Sequence, residues 1–366
     1  MKYPTLIFTI LFSITVFSQN CTEASLLQKP GTWKESSGGG SGITAADLAR
    51  EKKIVASIHT MIKSKYSPMG VNIGFNGGYG RPESNMPGNS FSYSILAFNF
   101  YCDGNVLKAA QETSTALSIT ANSLDAEIYD TAQGDRLLGE GFNVIYDMPV
   151  QKDGYWYFNE IDAGLGFGMK GKSRAWLITY DGKLPFAYVT KKEFLEKRKQ
   201  ALSNQMQMSS EGFKENLKNI EIEKKYKEAE YKNDPEKLKK YLKMDYLDTK
   251  ARYEKLVADN EKEFKPAFDK LEKQLKMFAE ELNQQAIVKD DPNDHLSYLF
   301  IDDNDPFRKI LIKPNPGYFN KKLPRSSPQF FWVNVIWDHN APIATKFRTD
   351  IMKAVDFTLL KNMLGK

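Results

Sequence analysis

At Thr190 the chain leaves one structural period for another and returns to the first only near residue 286, which limits the fold more than any other feature. Upstream, Phe91–Tyr101, Ala116–Ala121, Asn143–Met148, Tyr155–Ile161 and Arg174–Tyr180 read as strands. Downstream, Tyr298–Ile301, Ile310–Lys313 and Gln329–Trp337 resume that pattern. Between them lies a helical stretch in which nearly half the residues are charged. The economical reading is an α+β body, an antiparallel sheet with packed helices, built from residues 43–190 and 286–366. It is interrupted at 191–285 by a long, coiled-coil-like antiparallel helical hairpin. Short spacings between strands favour antiparallel connections. A separate small C-terminal domain is the alternative arrangement.

The hairpin has clear start signals. Thr190-x-x-Glu193 is a capping box, and Val189 with Phe194 can staple it. Asn233-Asp234-Pro235 stops the first helix and caps the second. Val257, Phe264, Phe268, Leu271, Leu275, Phe278 and Leu282 form a seam for the partner helix. Each helix would be about 60–75 Å long at 1.5 Å per residue, with Pro266 as a candidate kink. So charged a hairpin keeps its outer faces wet, and replacing it by a Gly/Ser link should leave the body folded.

Other local readings complete the body. A helix capped by Thr44 runs to Tyr66 with one apolar face. Asp181-Gly182 predicts a hairpin that returns Ala187–Val189 onto Arg174–Tyr180. Asn72–Asn89, rich in Gly, Asn and Pro, reads as a loop long enough to border a cleft, with a disordered surface loop as the equal alternative. Gln329–Trp337 is apolar on both faces and belongs inside a covered sheet. A final helix spans Lys346–Leu364.

The N-terminus predicts export. Lys2, the apolar run Leu6–Val16 and the short side chains of Val16 and Ser18 have the layout of a cleaved signal peptide over residues 1–18. No later stretch approaches the length of a transmembrane helix. Residues 19–42 then form an N-terminal segment and a Gly/Ser tether, and the destination is periplasmic or extracellular. In that oxidising setting Cys21 and Cys102 are expected to form a disulfide, with two buried thiols as the alternative. Hydrophobic residues, 41% of the chain, suffice for a substantial core, and the net charge of +5 is too dispersed for a nucleic-acid face.

Motifs that carry chemistry are few. Gly166 to Ser173 matches the phosphate-loop pattern, but the residues after it read as a strand where that loop needs a helix. His59, His295 and His339 lack metal-ligand spacing and read as structural. Asp338-His339, just past the last strand, is a candidate surface site that with a serine could complete a hydrolase triad, and a triad assembled from distant residues is the wider alternative. The acidic runs Asp290, Asp291, Asp294 and Asp302, Asp303, Asp305 read as solvated loops, with a calcium site as the alternative. Tyr155-Trp156-Tyr157-Phe158 puts Trp156 and Phe158 on one strand face, and Trp156 is the second surface-site candidate. No cofactor or metal is expected.

Phe17-Ser18-Gln19, Cys21 with Pro30-Gly31-Thr32-Trp33, and Lys183-Leu184-Pro185-Phe186 running on to Val189-Thr190 and Glu193 form a recognisable set. In these pieces the chain resembles uncharacterised exported proteins of Gram-negative bacteria that carry a Leu-Pro-aromatic-x-x-Val-Thr-x-x-Glu element before a long helix. The resemblance implies export and no particular activity. Taken together, the residues favour a non-enzymatic binding or scaffold module with a protein or cell-envelope partner. A secreted hydrolase of cell-wall or extracellular polymer is the alternative.

Overall fold

The computed structural model describes residues 21–36, 38–40, 42–82, 87–123, 141–165, 170–180 and 182–366. In chain order these form α1 (Glu23–Leu27), β1 (Trp33–Ser36), α2 (Ala45–Lys65), β2 (Val71–Pro82), β3 (Asn89–Asp103), β4 (Val106–Ala109), β5 (Ala116–Ala121) and β6 (Asn143–Ile145). Next come β7 (Val150–Lys152), β8 (Tyr155–Tyr157), β9 (Ile161–Gly164), β10 (Lys170–Ile178), β11 (Phe186–Tyr188), α3 (Lys191–Glu230) and α4 (Pro235–Tyr241). A π turn (Leu242–Tyr246) leads into α5 (Leu247–Gln274) and α6 (Ala279–Leu282). The chain closes with β12 (Ile287–Asp291), β13 (Asp294–Phe300), β14 (Lys309–Pro314), β15 (Phe331–Trp337), α7 (Pro342–Ala354) and α8 (Phe357–Met363). The segment expected to be a signal peptide lies outside the described residues.

Ten strands make one sheet in the order β1-β2-β3-β5-β15-β10-β8-β7, with β4 on β3 and β9 on β10. A second sheet has the order β11-β14-β12-β13, with β6 on β14. Strand alternation sorts the side chains into layers. Phe331, Val333, Val335 and Trp337 of β15 join Ile58 and Ile62 of α2 and Phe347 and Ile351 of α7. Trp332 points the other way, with Phe330, and meets Ile145, Phe186, Ile310 and Ile312 of the second sheet. On that sheet's far side Val144, Val288 and Leu311 meet Phe194, Leu195 and Leu202 of α3 and Phe264 and Leu271 of α5. Helices therefore cover the outer faces of two stacked, largely antiparallel sheets, an α+β arrangement.

β15 lies between β5 and β10, antiparallel to both, as its two apolar faces demand. The other C-terminal strands do not join that sheet. β12, β13 and β14 build the second one and draw in β6 and β11 from the first half of the chain. The hairpin expected at Asp181-Gly182 is replaced by a step between sheets: β11 pairs with β14, not β10, because Phe186 is buried between the two sheets. Asn72–Asn89 is not a long loop either. β2 pairs with β3 from Val71↔Asn99 to Pro82↔Asn89, and Val71 and Ile73 are fully buried. Composition misled there because the polar and glycine residues occupy alternate positions of a strand. The final helix is divided, since Asp356 Oδ1 accepts the Leu359 N–H (3.0 Å) and starts α8 afresh.

The described residues of the glycine-rich tether lie along β2. β1 pairs with β2 in parallel, and Gly40 bridges to Tyr79. A Cβ on Gly38 would stand 1.6 Å from the Gly77 carbonyl oxygen, so glycine is required by contact as well as composition. Cys21 and Cys102 are joined, with Cα atoms 5.7 Å apart, fastening this segment to the end of β3.

The helical stretch differs in detail from the expectation. α3 has 40 residues and starts at the Thr190–Glu193 capping box, whose Glu193 also pairs with Lys313 of β14. The return is divided by the π turn and ends at Gln274, and the helix runs on through Pro266. Residues five apart diverge by about 140° on an α-helix. The extra residue of the π turn lets Tyr241 and Tyr246 both pack with Ile220 of α3. Phe278 is not on the seam. It is 85% exposed, in the extended residue before α6. α3 and α5 run in opposite senses, with contacts at Lys199–Glu272 (3.1 Å), Met206 O–Asn260 Nδ2 (2.9 Å) and Glu221–Lys250 (2.6 Å). Their sheet-facing ends are buried in the core, which argues against removing residues 191–285 without loss of the fold.

One buried acid predicts a pH dependence of stability. Glu51 of α2 is fully buried, and its Oε2 accepts the Gly80 N–H at 2.8 Å. Oε1 has no hydrogen-bond partner among the described residues. Burial raises its pKa above the ordinary glutamate value, against the pull of the Gly80 and Asn89 donors. A raised carboxyl pKa stabilises the fold fully at low pH, and that contribution is lost as pH rises from about 4.5 through the folded-state value. Glu51→Gln should therefore melt higher than wild type at pH 7, the difference vanishing towards pH 4. Parallel melting curves across that range would show the carboxyl to be indifferent.

Candidate functional site

The strand Tyr155–Tyr157 pairs with β10 in the register Tyr157↔Trp176 and Trp156↔Leu177. That register puts Tyr155 and Tyr157 on the same sheet face as Arg174 and Trp176. Further towards the sheet centre α7 covers this face, but β8 and β7 lie beyond its reach. α8 closes only one side, where Phe357 meets Tyr155 edge-on (ring centres 5.3 Å apart) and Trp176 at 5.9 Å. Tyr155 Oη and Thr358 Oγ1 are 3.2 Å apart, which fixes the tyrosine against α8. An open cleft of about 370 Å³ remains between helix and sheet edge, with Tyr155, Tyr157, Arg174, Trp176 and Phe357 lining it.

The β7–β8 turn supplies the mouth. Asp153 (φ +54°) and Gly154 (φ +81°) are both left-handed, as a two-residue Asp-Gly hairpin turn requires. Lys152 and Asp153 line the cleft from this turn, and Lys361 Nζ lies 5.8 Å from the Tyr155 ring centre. Deeper in, the Arg174 guanidinium lies 5.4 Å from the Trp176 ring centre and 5.9 Å from that of Tyr157. Such contacts are worth about 0.5–1 kcal/mol each where water is near, and they orient the group without neutralising it. The Arg174 Nε is buried without a hydrogen-bond partner, and no carboxylate pairs with Arg174 among the described residues. The arrangement can hold an anion against aromatic surfaces.

The residues singled out from the sequence lie elsewhere. Trp156 is turned away from the cleft and packs at the margin of the layer between the sheets, beside Phe158, whose ring stacks on Trp332 at 5.0 Å. Asp338 Oδ1 accepts the Asn340 N–H (2.9 Å), and His339 is exposed. Among the described residues no hydrogen bond joins Asp338 to His339 or His339 to a serine side chain. In the phosphate-loop match, Gly166–Met169 lie outside the described residues. Lys172 pairs with Asp162 (2.6 Å), and buried Ser173 donates to Asn334 Oδ1 (2.9 Å) within β10. The acidic runs are not simply solvated loops: Asp290 and Asp291 end β12 and Asp294 starts β13, and lysines match several of them, Asp290 with Lys309, Asp291 with Lys270 and Asp305 with Lys289. His59 stacks on Phe75 at 4.3 Å, in keeping with a structural role.

Arg174, Trp176 and Phe357 were missed by sequence reasoning. The period-2 pattern of β10 places Arg174 and Trp176 on one face, a signal that was available. Phe357 gave no signal, because the sequence reads Lys346–Leu364 as one helix.

No helix among the described residues is long and apolar enough to cross a membrane. Compared with protein-family models, with curated proteins and with solved structures, the chain has no match.

Proposed function

We propose that this is an exported, non-enzymatic binding module whose ligand site is the cleft around Arg174 and whose helical pair is a projecting scaffold arm. The observation that carries the reading is the Arg174 guanidinium, without a carboxylate partner among the described residues, lying over the Tyr157 and Trp176 rings. Charged groups without a partner are uncommon at half-buried positions, and here one is set in a preformed concave surface. The lining is suited to holding a ligand: aromatic faces, cations and, among the described lining residues, one carboxylate, that of Asp153. Export is supported by the disulfide, which belongs to oxidising compartments. The arm is supported by the contacts of α3 and α5. Beyond Met206 and Asn260 these helices leave the sheet-facing cluster, and the 24 residues Gln207–Glu230 extend about 36 Å.

The test is retention by the cell envelope. Wild-type protein mixed with purified envelopes of the host should sediment with them, and the variant Arg174→Gln/Trp176→Ala should be retained at least tenfold less. Unchanged retention of that variant, with its melting temperature preserved, would remove the cleft from the function.

A further inference from the structure

We propose that the cleft is a receptor for a carboxylate-bearing sugar ring, Arg174 holding the carboxylate while Tyr155, Tyr157 and Trp176 flank the ring. This rests on the binding reading above and adds the chemistry of the ligand to it.

The charge arrangement selects an anion. Several partly buried cations are matched, Arg308 by Asp147, Lys289 by Asp305 and Lys309 by Asp290, while Arg348, like Arg174, lies against a ring (Trp337, 5.0 Å); of these two arginines Arg174 is the one that lines the cleft. Among the described residues no carboxylate pairs with Arg174, which lies over the Tyr157 and Trp176 rings, so its Nη hydrogens are left for a ligand. A planar guanidinium offers two parallel N–H donors, which match a carboxylate in one plane. Lys152 and Lys361 stand at the margins and add to the attraction.

Asp153 narrows the class further. Placed at the mouth by the β7–β8 turn, its carboxylate repels a phosphate dianion more than a monoanion, and it accepts hydrogen bonds from hydroxyl groups. Carboxylate, hydroxyls and a ring whose C–H face suits aromatic side chains occur together in a sugar acid. The cleft volume falls in the lower part of the ~300–1,000 Å³ range of small-ligand sites. The open side lets a chain continue outward, so both a free sugar acid and a polymer of such units satisfy the chemistry.

The test is calorimetric titration of the whole protein with galacturonic acid, with tetragalacturonate and with the matching uncharged galactose tetramer. Tetragalacturonate should bind at least tenfold more tightly than the uncharged tetramer. Arg174→Gln should weaken tetragalacturonate tenfold or more with the melting temperature unchanged, and Arg174→Lys should restore only part of the loss. Equal binding of monomer and tetramer assigns the site to a free sugar acid; a large gain for the tetramer assigns it to a polymer. Comparable binding of the uncharged tetramer, no effect of Arg174→Gln, or no titration by the folded wild type overturns the proposal. Should tetragalacturonate fail to bind while the cleft variant still loses the envelope, the ligand class is wrong and the binding reading stands. Unchanged envelope retention would instead sink both.

Discussion

Excising residues 191–285 and closing the gap with a Gly/Ser link should unfold the protein, whereas removing only Gln207–Asp259 should leave it folded. Both deletions take out charged helix, and they differ in what they uncover. Phe194, Leu195, Leu202, Phe264 and Leu271 are buried against Val144, Val288 and Leu311 of the second sheet. At about 1.5–3 kcal/mol for each large side chain taken from water, this cover contributes roughly 10 kcal/mol. That equals the whole stability of an ordinary domain, about 5–15 kcal/mol. The shorter deletion keeps the cover and rejoins the chain where Met206 already touches Asn260. Thermal melts of the two deletions provide the check. A cooperative melt from the longer one would mean that the second sheet stands without its helices.

Breaking the disulfide has the second-largest expected effect. The bond joins residues 81 apart, and closing so long a loop in the unfolded chain is worth about 4–5 kcal/mol in the chain-entropy account. Cys102→Ser, or reduction of the wild type, should lower the melting temperature by roughly 5–10 °C. Proteolysis should then begin in residues 21–40, because β1 lies at the sheet edge and pairs only with β2. A melting temperature unmoved by reductant would show that α1 and β1 hold this segment without the bond.

How far the sequence could be read depended on the range of the signal. Local chemistry was legible: the Thr44 and Thr190 caps, Asp234-Pro235 and the two-faced strand Phe331–Trp337 are where side-chain pattern placed them. Partner choice was not. Nothing near Phe186 says that it pairs with residue 314 and not with β10, since that is decided by filling the space between two sheets. Glycine-rich β2 was hidden because its alternation pits core residues against Gly and Asn, which also spell a loop. At the candidate site the aromatic strand was recognised but its other face was chosen. Which face of the aromatic strand β8 stays open depends on where α8 ends, and no local pattern states that.

The position of β15 has a consequence for the order of folding. Its neighbours β5 and β10 are both in place in the chain long before it, yet neither touches the other, and each keeps an unpaired edge until Phe331–Trp337 slide between them. Pairing across more than 150 residues is slow, because distant segments must meet before any contact rewards them. A chain emerging from the ribosome therefore keeps the large sheet open until its last strand is released, while every strand of the second sheet is already available. The large sheet can close only once Phe331–Trp337 are available to pair with both neighbours.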